Sequence, residues 1–236
     1  MPVLSDLSLN LSFDEAVKYH GLRCRGLIRP KTLSVLKSLI DDIEQHHYFK
    51  PQIAYQVLTI SEIKDGFIYL TNKQILAAPI AFHYIKKASH LLLAVGTLGS
   101  QISCIISELF HNNKKFNAIL VEELANYALF KVSMMIEKQA DIDALNMSLT
   151  ASGPLSPGDE GFKLSSQPVI LKLAGASLID VAISSTQMMA PQHSISVVYG
   201  IGQKMRKWSQ SKNCETCKSR NHCQHRIALL AMEESP

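Results

Sequence analysis

Leu91 to Val95 is an unbroken run of five apolar residues, and Gly96-Thr97-Leu98-Gly99 follows it directly. A run this short is far from the length that crosses a bilayer, so it reads as a buried strand. The glycine-bearing turn then hands the chain to a helix running from Ser100 to about His111. A buried strand feeding a helix calls for a sheet covered by helices.

The flanking segments supply the covering layers. Phe13 to His20 is bounded by a Ser12/Glu15 capping box and Gly21, which predicts a short helix. Thr32 to His46 places Leu33, Leu36, Leu39, Ile40 and Ile43 at helical spacing, with charged residues on the other side. Tyr55 to Ile60 and Phe67 to Leu70 flank Lys64-Asp65-Gly66 and predict a hairpin. Pro79 suits the first turn of a helix reaching about Lys87, and Asn117 to Glu137 reads as a long amphipathic helix. Periodicity fades between Asp141 and Phe162, where Gly, Ser and Pro gather, so a loop is expected there. Ser165 to Ala174 reads as a helix, Val181 to Ser185 and Ser194 to Val198 as strands, and Ile227 to Met232 as a last helical stretch. The expected fold class is α+β, a mixed and mostly antiparallel sheet with flanking helices. Residues 1–202 are expected to form this domain, and 203–236 a small cysteine-containing appendage.

Composition narrows the function classes. The net charge of +4 comes from Lys and Arg scattered along the chain, which does not make a nucleic-acid stripe. The N-terminus lacks the basic and apolar regions of a secretory signal, and no membrane span is expected. Five cysteines, three of them crowded between 214 and 223, do not form a secreted disulfide scaffold, so a cytoplasmic location is expected. No Gly-x-Ser-x-Gly elbow or His-Glu-x-x-His motif is present.

Three constellations carry candidate chemistry. In the turn Gly96-Thr97-Leu98-Gly99, helix-terminal amides and small residues are suited to an anion, with Thr97 and Gly99 as candidate contacts; a tight strand-to-helix turn explains the same spacing. The second is Pro154-Leu155-Ser156-Pro157-Gly158-Asp159, where Pro157 fixes φ and Gly158 permits a positive one. Such a rigid turn presents backbone groups to a ligand at small entropic cost, with Ser156, Pro157 and Gly158 as candidate contacts. The third is Cys214-x-x-Cys217 followed by Cys223, with His222 and His225 nearby, a spacing that suits zinc or an iron–sulfur cluster. Cys24 and Cys104 fall on apolar faces and are expected to be buried. His193 is expected on a solvated loop, and Glu122 and Glu123 on a solvated helix face.

Pro157-Gly158, then Gln167, then Met189-Ala190-Pro191-Gln192-His193-Ser194-Ile195-Ser196 and Tyr199, follow one another in an order that resembles the activation (reactivation) domain of cobalamin-dependent methionine synthase. The resemblance covers most of the chain and is strongest over Ile75 to Glu137 and Pro154 to Gly202. It implies binding of S-adenosylmethionine, with Tyr199 at the site, and support for reductive methylation of a corrinoid. Cobalamin would be supplied by a partner, a corrinoid-binding methionine synthase or a related corrinoid methyltransferase. The family commonly has Arg-x-x-Pro-Gly-Tyr at the second constellation; here Pro154 stands at the Arg position and Asp159 at the Tyr position. A proline cannot supply the guanidinium fork, and an aspartate repels a carboxylate. That departure supports an alternative: a corrinoid-protein binding or chaperone module that no longer holds S-adenosylmethionine. No segment resembles the corrinoid-, homocysteine- or folate-binding modules, so a complete methyltransferase is not expected from this chain alone. Several stand-alone relatives also end in a Cys-x-x-Cys…Cys tail; were the metal there an iron–sulfur centre rather than zinc, it would be able to supply the electron.

Overall fold

The computed structural model describes residues 2–5, 7–24, 28–78, 81–159, 161–185, 188–217, 220–221 and 223. The chain begins with a short strand β1 (Val3–Leu4) and two helices, α1 (Phe13–Cys24) and α2 (Pro30–Gln45). A long strand β2 (Gln52–Lys64) turns into β3 (Phe67–Leu70) and β4 (Ile75–Ala77), and a four-residue helix α3 (Ala81–Tyr84) leads to β5 (Ala88–Thr97). Helices α4 (Gln101–His111) and α5 (Lys115–Asn146) follow, then β6 (Thr150–Ala151) and α6 (Gln167–Ala174). A small hairpin of β7 (Ala182–Ile183) and β8 (Met189–Ala190) precedes β9 (Ser194–Gly202) and α7 (Gln210–Thr216).

Seven strands form an antiparallel sheet in the order β4-β3-β2-β5-β9-β6, with β1 added to β2. The α+β expectation is met, and the Lys64-Asp65-Gly66 turn joins β2 to β3 as the sequence predicts. The apolar run Leu91 to Val95 lies in the middle of the sheet because β5 is covered on both faces. Leu92 and Ala94 enter one core with Ile53, Tyr55, Val197, Tyr199 and Ile201, beneath α1, α2, α4 and α5. Leu91, Leu93 and Val95 enter a second core with Ala54, Val198 and the apolar side of α6. Trp208, within the expected appendage, is buried in this second core.

Several elements differ from expectation, among them α1, which continues past Gly21 to Cys24. The long helix continues to Asn146, well past Glu137, because Ala140 and Ala144 give it a small-residue face that stays packed on the sheet. The helix expected over Pro79 to Lys87 ends at Tyr84 as α3, and the chain after it turns into β5; Pro79 lies outside the described residues. The glycine turn is partly strand, since β5 runs through Thr97. Gly96 serves helix packing: a Cβ there would lie 2.6 Å from Val132 Cγ1 of α5. Among the described residues, no helix is long and apolar enough to cross a membrane. The helical stretch expected at Ile227 to Met232 lies outside the described residues.

Candidate functional site

The even- and odd-numbered residues of β9 face opposite cores, and this alternation decides where a site can form. Ser194 and Ser196 point to the α6 side, and Val197, Tyr199 and Ile201 to the α5 side. On the α6 side a cavity of about 340 Å³ opens between β9, β8, the start of α6 and the 155–157 loop. Ser156, Gln167, Gln192, Ser194 and Ser196 give it polar groups. Pro157, Leu164, Met188 and Met189 give it apolar walls, and Ile195, whose side chain packs on the α5 side, borders it. The volume lies at the lower end of the ~300–1,000 Å³ typical of ligand sites.

The hydrogen-bond inventory of the walls is what marks the cavity as a site. Gln167 is 4% exposed and Ser196 is 7% exposed. Neither the Gln167 carboxamide nor the Ser196 hydroxyl makes a hydrogen bond among the described residues, although most polar groups around them are paired. A buried polar group without a partner costs about 1–3 kcal/mol, so two lining the same cavity, one from α6 and one from β9, fit a site completed by a hydrogen-bonding ligand. The sequence reading placed Gln167 only as part of the resemblance. Its spacing to Ile170, Leu171 and Ala174 puts it on the buried face of α6, and that was the available signal.

The loop beneath the cavity is held from two sides. Leu155 pairs with Val198 of β9 through N–H···O bonds of 2.9 and 2.8 Å. Gly158 takes φ +102°, the conformation expected of it, and its N–H donates to Phe162 O at 2.8 Å. Asp159 turns inward: its Oδ2 accepts from the Ser156 N–H at 2.8 Å and from Asn213 Nδ2 at 3.1 Å. Burial pushes the Asp159 carboxyl above its ordinary range, against the two hydrogen bonds that favour the ionised form. The Pro154 carbonyl accepts from Trp208 Nε1 at 3.2 Å and from Asn213 Nδ2 at 2.8 Å. The indole packs on Gly153, where a Cβ would lie 2.3 Å from Trp208 Cδ2, and against the Tyr84 ring at 5.0 Å. The two positions that depart from the family pattern are thus engaged by the segment that begins α7. Nothing in the sequence pairs Pro154 with residues 54 and 59 positions away.

The other candidates lie elsewhere. Ser156 and Pro157 line the cavity; Gly158, Thr97, Gly99 and Tyr199 are not among its walls. Tyr199 is 2% exposed beneath α5, and burial pushes its hydroxyl far above the usual phenol range, with Glu137 and Asp141 adding to the shift. Thr97 is buried and ties the turn together. Its Oγ1 accepts from the Gly99 N–H at 3.1 Å and lies 2.9 Å from Ser194 Oγ. The Leu98 N–H donates to His193 O at 3.0 Å, and Gly99 takes φ +82° beside Lys50.

Several expectations need correction. His193 is 3% exposed, because its turn tucks between α4 and α5. Its Nε2 lies 3.1 Å from Glu122 Oε2 and its Nδ1 3.3 Å from Ser103 Oγ. Glu122 therefore fastens the segment that becomes β9, and Glu123 is buried in a pair with His20. Cys104 is exposed on the outer face of α4; the side chain of Cys24 lies outside the described residues. Cys214 and Cys217 stand at the end of α7. Among the described residues, no three His, Cys, Asp or Glu side chains converge as metal ligands, so the expected iron–sulfur or zinc site at Cys214, Cys217 and Cys223 finds no support there. His222 and His225 lie outside the described residues.

The fold is shared with a solved structure. The crystal structure of the MetH reactivation domain bound to AdoHcy superposes with a TM-score of 0.66, covering 98% of this chain and 89% of that one, at 10% identity. The chain has the reactivation-domain fold. No protein-family model and no curated protein sequence matches it.

Proposed function

We infer that the chain holds an S-adenosyl ligand in the cavity of Gln167 and Ser196. In this reading it serves as an accessory reactivation protein for a cobalamin-dependent methionine synthase or a related corrinoid methyltransferase, in the cytoplasm. The observation that carries the reading is the pair of buried polar side chains, Gln167 and Ser196, that line one ligand-sized cavity without a hydrogen-bond partner among the described residues. The shared fold supports it, because the solved reactivation domain holds AdoHcy. Ser156, Gln167 and Ser196 would orient the ligand, while Pro157, Leu164, Met188 and Met189 exclude water from it. The rigid loop and the sheet keep these groups in place before the ligand arrives, so the contribution is positioning rather than acid–base chemistry. The partner's corrinoid would supply the cobalt that accepts the methyl group. Leu164 and Met188 are 42% and 61% exposed at the cavity, giving an apolar rim on which a partner can seat. The C-terminal segment enters this reading as the anchor of the 154–159 loop, through Trp208 and Asn213.

Calorimetric titration with S-adenosylmethionine and S-adenosylhomocysteine tests the ligand. Saturable binding that weakens in Gln167→Leu is expected. Absence of heat with both, from folded protein, removes the ligand and leaves the chaperone alternative, for which a pull-down of a corrinoid protein is the check. Recovery of activity by an oxidised corrinoid methyltransferase, with reductant and methyl donor present, tests the accessory role.

A further inference from the structure

The cavity that would hold the S-adenosyl ligand has a chemical bias of its own. Among its described walls there is no Asp, Glu, Lys or Arg. What it offers is neutral: the buried Gln167 carboxamide, with one acceptor and two donors, the buried Ser196 hydroxyl, and Ser156, Gln192 and Ser194 around them. That set matches the donor–acceptor edge of a neutral heterocycle. Met188, Met189, Leu164 and Pro157 supply soft, flat apolar surface for a ring and a thioether. Asp159, the carboxylate among the described residues of the loop, is spent on the Ser156 N–H and on Asn213, and it faces inward. The carbonyl of Pro154 is likewise taken by Trp208 and Asn213. An α-carboxylate or α-ammonium in this cavity meets no opposite charge and none of the strong charge-assisted bonds that hold amino-acid groups.

We propose that the site recognises the uncharged 5′-thioether nucleoside half of its ligand and leaves the amino-acid tail unheld in solvent. This rests on the ligand assignment above and narrows it. The sulfonium charge is not read either, so methyl donor and demethylated product bind alike. Affinity depends little on salt, because no ion pair forms.

The test uses the full chain and four probes in calorimetric titration at low and high salt: 5′-methylthioadenosine, S-adenosylhomocysteine, S-adenosylmethionine and homocysteine. The three nucleosides are expected to bind within about tenfold of one another, the scale of a single hydrogen bond to a charged group. Homocysteine gives no heat, and salt moves none of the affinities by that factor. Methylthioadenosine weaker than the other two by more than about tenfold would show that the tail is gripped, and it overturns the proposal while the ligand assignment stands. A steep loss of affinity with salt overturns it in the same way. If none of the three nucleosides binds, both fall.

Discussion

Two turns of this molecule look alike in sequence and behave oppositely in space. Gly96-Thr97-Leu98-Gly99 and Ser156-Pro157-Gly158-Asp159 each join regular elements, and each contains a glycine at positive φ. In the first, the hydroxyl of Thr97 and the amides of Leu98 and Gly99 are consumed by Ser194, His193 and one another. The second has its own amides consumed too, yet it borders a cavity where Gln167 and Ser196 are left without partners. Glycine content and turn geometry do not separate the two turns; the hydrogen-bond inventory around them does.

Four substitutions put that comparison under strain. Trp208→Ala has the largest expected effect. Removing a buried indole costs about 3–5 kcal/mol, read as a fall in the urea midpoint. The 154–159 loop loses its anchor at the same time, so ligand binding falls with stability. Thr97→Val comes next, at about 1–3 kcal/mol, because it leaves the Gly99 amide without its acceptor, while the Ser194 hydroxyl keeps Pro191 O. It should leave the affinity of the folded protein unchanged; an equal loss of affinity would make the first turn part of the site.

Gln167→Leu reverses the pattern. Stability holds or rises slightly, since an unpartnered buried carboxamide is replaced by an apolar group of similar size, while affinity drops about tenfold. A loss of stability like that of Thr97→Val would mean that Gln167 is scaffold. Asp159→Asn has the smallest effect. Burial raises the Asp159 carboxyl, so its contribution to stability is complete below the ordinary value of 3.8 and declines as pH rises through the raised folded value. Asparagine keeps an acceptor for Ser156 and Asn213 and does not ionise. The variant should therefore match the native protein in acid and gain on it as pH rises across that window, measured by thermal melts at several pH values.

The fold was largely legible. The run Leu91 to Val95, the periodicity of α2 and α4, and the Asp65-Gly66 turn each encode their element locally. The overrun of α5 to Asn146 was hidden because alanine marks no face in a hydrophobic pattern, yet Ala140 and Ala144 are fully or nearly fully buried. The candidate site was legible only in part. Ser156 and Pro157 came from turn chemistry, and Gln167 was recoverable from its place on the apolar face of α6. His193 was not recoverable, because its burial is imposed by Ser103 and Glu122, 90 and 71 positions away. The resemblance drew Tyr199 toward the ligand, whereas strand alternation, read from Ser194 and Ser196, puts it on the other face of the sheet.

Trp208 and Asn213 also set a schedule. Every strand and every helix through α6 precedes them in the chain, so the sheet and both cores can begin to assemble on the ribosome while the 154–159 loop still lacks its anchor. The Trp208 and Asn213 contacts to that loop can close only after residue 213 has emerged from the exit tunnel. A nascent chain paused before that point would carry the scaffold without a finished binding floor.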